Sequence, residues 1–157
     1  MKCILLFFLL ITFGVFSQKV DYFKLSDTLG LDLSDKSDSN QTLLFIAILE
    51  KLDTNIISKN IEHYYYDLGM EYYCLAAFRT NSAYLQKSIQ YNLKAISHKQ
   101  DFSDAYSNIS VCYYFLHDCS NATKYIEEYK KHTPKKKWDN KIIKSIEECM
   151  ESQKTKQ

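Results

Sequence analysis

Glycine and proline are nearly missing from this chain, with three Gly and one Pro in 157 residues. Both types punctuate turns and sheet edges, so their scarcity argues against a turn-rich β architecture and for helices. No two cysteines show the two-residue spacing of a zinc knuckle or redox dithiol, and His63, His98, His117 and His132 are scattered, so no ligand set for a metal is seen. A phosphate-cradling glycine loop and a nucleophile elbow are also lacking. The one thiol and imidazole close in sequence, Cys112 and His117, stand five residues apart on or just past a helix, a poor spacing for a nucleophile and its base. Catalysis, a metal and a cofactor are therefore not expected. Neither sign of charge dominates, with 20 Lys plus Arg against 19 Asp plus Glu, so the basic excess of a nucleic-acid binder is missing. The balance hides a gradient: residues 124–157 carry ten Lys against six acids, and residues 18–53 four Lys against seven acids.

No apolar run is long enough to span a bilayer. The longest, residues 4–16, has 13 positions where about 20 are needed. Preceded by Lys2 and followed by small residues, it reads as a secretory signal over residues 1–17, with Val15 and Ser17 at the positions three and one before the cut. Cleavage after Ser17 is expected, and membrane contact only through this leader if it stays uncleaved. Cys3 lies ahead of the run, which argues against a lipid-anchored terminus. Export to a periplasm, an envelope or the medium permits disulfides among Cys74, Cys112, Cys119 and Cys149, which allow three connectivities.

What is present is helical patterning. Residues 18–40, polar and with the run SDKSDSN, read as a flexible lead-in. The apolar stretch at residues 41–52 predicts a buried helix behind the cap candidate Asn40. The turn Asp53, Thr54, Asn55 ends it, and Ser58 or Asn60 can start the next helix. Tyr65, Leu68, Gly69 and Tyr72 then follow one another by three, one and three, which places them on one stripe where a small residue lets a second helix approach. Tyr106, Ile109, Ser110 and Tyr113 repeat that spacing 41 residues later, whereas Ser88, Asn92, Ala95 and Gln100 recur 34 residues later as Ala122, Ile126, Tyr129 and Pro134. The difference requires seven extra residues within the first unit, and a loop insertion around Phe78 and Tyr84 is expected. A last helix, residues 139–152, presents Ile143, Ile146 and Met150 on one face.

These residues resemble the tetratricopeptide repeat, a 34-residue helix-turn-helix unit with an aromatic, Leu-Gly and Tyr in its first helix and a closing Pro. The first unit keeps Leu68, Gly69, Tyr72 and Ala95 but departs at Ser88, Asn92 and Gln100; the second keeps Tyr106, Tyr113, Ala122 and Pro134 but has Ser110 for Gly. The resemblance spans roughly residues 62–134 plus the last helix. It implies an all-α fold, an α-solenoid of antiparallel helix pairs over residues 41–154, with units at about 62–102 and 103–136, a preceding helix and a C-terminal capping helix. A plain helical bundle with two similar hairpins is the alternative.

The resemblance further implies a protein or peptide partner held in a groove lined by the first helix of each unit. His63, Tyr66, Met70 and Tyr73 would line it from one unit, Ser107, Val111 and Tyr114 from the next, and Trp138 and Lys141 from the cap. Such aromatics also serve as packing between helices. Family members that clamp a terminal carboxylate use Lys and Asn where Tyr66 and Met70 stand, so that chemistry is not expected. The repeat register suggests a Cys119 to Cys149 bridge and then a Cys74 to Cys112 bridge; other pairings and buried thiols stay open. The lysines of KKHTPKKK read as a solvated turn rather than a site for an acidic partner. Asn40, Asn108 and Asn121 begin glycosylation sequons, two of them inside predicted helices. The function expected is that of an exported adaptor or scaffold; the alternative is an assembly factor that packs through its apolar ends.

Overall fold

The computed structural model describes residues 19–29, 31 and 39–154. The leader expected at 1–17 with its cleavage site, and most of the run after Leu31, lie outside the described residues. The described part is mostly helical: α1 (Tyr22–Leu29), α2 (Ser39–Leu49), α3 (Ile61–Arg79), α4 (Ser82–His98), α5 (Ser103–Phe115), α6 (Cys119–His132) and α7 (Asn140–Lys154). Two short strands, β1 (Val20–Asp21) and β2 (Ile57–Lys59), pair in parallel. Consecutive helices from α3 to α7 pack against each other, and α5 also touches α3 and α7.

Helix starts follow side chains able to occupy the free amides of a first turn. Asn81 accepts from Ala83 N at 2.9 Å, Asp118 from Asn121 N at 3.0 Å, and Asp139 from Lys141 N at 3.0 Å. The last turn of α6 carries Lys130, Lys131 and His132, cations that suit the negative end of the helix dipole. Asn60, expected to start α3, does precede it, but its side chain donates to Asp21 at 3.0 Å and ties β1 to the helix entry.

Residues 19–29 of the lead-in are packed on the helices, where their polarity suggests a flexible segment. Tyr22 and Leu25, three apart on α1, are buried with Ile46 and Leu49 of α2 and Leu68 of α3, and the Tyr22 hydroxyl donates to Asp67 at 2.7 Å. Burying each such side chain contributes on the order of 1.5–3 kcal/mol before entropy. The α2 helix is only half buried: Phe45, Ile46 and Leu49 face inward, whereas Leu43 and Leu44 are 36% and 51% exposed.

The expected loop insertion does not exist. Compared with α5 and α6, α3 runs five residues further and α4 starts three earlier, while the intervening turn, Thr80 and Asn81, is one residue shorter, which accounts for all seven. So tight a turn puts Thr80 at φ 47°, a left-handed conformation that costs a β-branched residue about 1–3 kcal/mol.

Side-chain contacts recur between the two hairpins in the register of the sequence. Tyr72 stacks on Tyr91 (5.6 Å, 6°) and Tyr113 on Tyr125 (5.6 Å, 14°). Tyr65 stacks on His98 (5.3 Å, 13°) and Tyr106 on His132 (5.4 Å, 17°). In every case the first-helix partners are 41 residues apart and the second-helix partners 34. A Cβ on Gly69 would lie 3.2 Å from the Ser88 carbonyl oxygen, and Ser110, its equivalent, donates to the carbonyl of Ala122, the equivalent of Ser88, at 2.8 Å.

A disulfide joins Cys119 at the start of α6 to Cys149 on α7. The second bridge is not formed: Cys74 and Cys112 remain thiols. Their positions explain why. Counted back by 41, Cys112 corresponds to the inward-facing Glu71 and Phe115 to Cys74, so the two cysteines occupy different faces of their helices. The Cys112 thiol points into the hairpin stack and lies 3.3 Å from the Ser88 hydroxyl oxygen.

Candidate partner-binding groove

The first helices of the two hairpins and α7 enclose two adjoining hollows. Tyr66, Met70, Tyr73, Ser107 and Val111 line one of about 270 Å³, together with Asp104, Asn108, Tyr129 and Ile142. Tyr73, Val111, Tyr114 and Lys141 line the other, of about 240 Å³, with Phe115, Ile142, Ser145 and Ile146. Tyr73, Val111 and Ile142 belong to both, so the two form one trough. Seven of the nine residues expected to line a groove therefore meet there.

The other two are engaged at its ends. His63 sits between Phe23 and Phe102, with ring centroids 4.7 Å and 4.8 Å away. Trp138 braces the turn before α7: its indole N–H donates to the Thr133 carbonyl at 2.8 Å, and Lys130 lies 5.7 Å from its ring.

Two phenols of the trough, Tyr66 and Tyr73, are neutral donors. Burial, followed by the nearby Asp104 carboxylate, pushes Tyr66 up to about 12, and burial also raises Tyr73. Both keep their protons throughout the physiological range. Lys141 is an exposed cation on the opposite wall and forms no ion pair among the described residues. Asp104, Ser107, Asn108 and Ser145 add polar groups to walls that are otherwise apolar or aromatic.

Asn108 was not among the residues expected to line the groove. It is 7% exposed, and its amide Nδ2 has no hydrogen-bond partner among the described residues. The Cys112 sulfur lies 3.9 Å from Asn108 Oδ1, on the inner side of the helix. A buried donor without an acceptor costs about 1–3 kcal/mol. The sequence signal was its place one residue before Ile109, which turns it from the core toward the trough. As a sequon Asn108 is inaccessible, and Asn121 is tied to Asp118 through Nδ2 at 2.7 Å.

Of the lysine run, Lys135, Lys136 and Lys137 are exposed in a 3-10 turn and Lys131 is exposed beside Glu128, whereas the Lys130 side chain, 15% exposed, is not solvated and pairs with Glu127 and Glu147. Among the described residues no cluster of His, Cys, Asp and Glu could hold a metal ion, and no helix is long and apolar enough to cross a membrane. No protein-family model matches this chain, and neither a curated protein nor a solved structure matches it.

Proposed function

We propose that this protein is an exported tetratricopeptide-like adaptor that holds an extended segment of a partner protein in the trough between α3, α5 and α7. The repeated stacking and close-approach contacts of the two hairpins support the repeat reading, and the Cys119–Cys149 bridge suits an oxidising compartment. The observation that carries the binding reading is the trough itself, where Tyr66, Met70, Tyr73, Val111 and Tyr114 converge from α3 and α5. Its aromatic and Met walls provide contact area with adaptable packing.

The experiment is affinity capture by the chain from Gln18 onward, beside a variant carrying Tyr66→Ala, Met70→Ala and Tyr114→Ala. A partner retained by the parent and lost by the variant, at equal helicity, supports the trough. Capture that survives the triple change favours the second reading, an assembly factor that packs through its ends. The observation behind that alternative is the exposed Leu43 and Leu44 pair on α2, and Leu44→Asp is then the change expected to abolish capture.

A further inference from the structure

The extra length of α3 and α4 builds a feature with no counterpart in the second hairpin. Between their ends and the end of α5 lies a third hollow of about 330 Å³, walled by Tyr73, Ala76, Leu85 and Phe115 and rimmed by Ala77 and the turn at Thr80. No charged side chain lines it. Tyr73 belongs to all three hollows, and Phe115 to this one and the one holding Lys141, so the third adjoins the trough across these two rings, whose centroids are 6.2 Å apart.

We infer that this hollow is an anchor subsite, which takes one bulky apolar side chain, aliphatic or phenyl, of the same segment that passes Asn108. The inference rests on the trough being the binding site. Its size lies at the lower end of ligand pockets, about 300–1,000 Å³, which suits a side chain better than a cofactor. Polar groups come only from Thr80, Asn81, Ser82 and the Tyr73 hydroxyl, so the hollow has no charge to hold the ionised head of a free ligand. A side chain tethered to a segment already in the trough needs no such hold, because its entry is intramolecular. Phe115, 53% exposed at the mouth, and the wall of Ala76 and Leu85 would then lose water to the anchor. The strained Thr80 turn is what closes the two long helices around the space.

The test starts from random dodecapeptides displayed on phage and selected on the disulfide-intact chain from Gln18 onward. Enriched peptides are expected to share one bulky apolar residue at a fixed distance from the rest of their motif. Replacing that residue by Ala should weaken binding about tenfold or more on the parent chain. On Ala77→Trp, which fills the hollow from an exposed position, the same replacement should change binding less than about twofold. An equal loss on parent and Ala77→Trp overturns the subsite and leaves the trough standing. A parent that dimerises where Ala77→Trp does not shows a second copy as the occupant and also overturns it. If selection enriches nothing that Val111→Arg, in the trough itself, fails to bind, the trough reading falls and the subsite with it.

Discussion

Gly69 fixes how closely α3 and α4 approach. A Cβ there would fall 2.2 Å from Asn92 Nδ2 and 2.9 Å from its Cγ, and Asn92 is fully buried with its amide held by the Ser88 carbonyl at 2.8 Å, so the neighbour cannot swing away. Gly69→Ala is therefore expected to destabilise by about 1–3 kcal/mol in urea denaturation. Shortening the obstacle in Gly69→Ala/Asn92→Ala should cost less than the sum of the two single changes. That small residue and its spacing were legible in the sequence, because close approach is a demand of the backbone. The Asn92 side chain opposite it was not, since in the second unit the same place is Ile126. Asn108 escaped for a related reason: its sequon drew notice, whereas its role depends on a neighbouring helix that no local pattern reveals.

Between elements, hairpin length was misread for a physical reason. Residues 75–79, Leu-Ala-Ala-Phe-Arg, have helical preference and contain neither Gly nor Pro, so added length here continues the helix instead of forming a loop. Helix α1 was missed because only Tyr22, Leu25 and Leu29 mark its inward face, and the two-strand contact is too short to leave a periodicity. The cap helix was legible from Ile143 and Ile146, and its bond to Cys119 closes a separation of 30 residues. Reduction is expected to lower stability by about 2–4 kcal/mol. Hydrogen exchange should locate the loosening in residues 140–154, with α3 and α4 protected as before. A reduced protein with unchanged exchange in α7 would mean that Ile143 and Ile146 hold the cap without the bridge.

Across the molecule, the aromatic content sets the response to alkali. Burial pushes the Cys112 thiol up to about 12 from near 9; burial and Glu50 push Tyr91 up to about 12, and burial and Asp104 do the same for Tyr66. Tyr22, Tyr64 and Tyr72 are raised too, each chiefly by burial. Every one of these groups is neutral when protonated, and its folded value lies above its unfolded one. Their contribution is thus complete below about pH 9–10 and is lost as pH rises toward the folded values, about 12 for Cys112, Tyr91 and Tyr66, because the unfolded chain releases its protons first. Chemical denaturation at stepped pH should show flat stability to about pH 9, then a steep fall, with phenolate absorbance rising together with unfolding. A protein that ionises these tyrosines while still folded would contradict the packing described.

The stacked rings have one more consequence, for how such a chain can change over generations. The rungs Tyr72 on Tyr91 and Tyr65 on His98 fix the register of α3 against α4 below the turn, and the shorter second hairpin keeps the same two rungs without the extra length above them. Growth or trimming at the tip therefore leaves the paired stem in alignment. The stem holds the alignment, so insertions and deletions at the tip are expected to leave its packing unchanged.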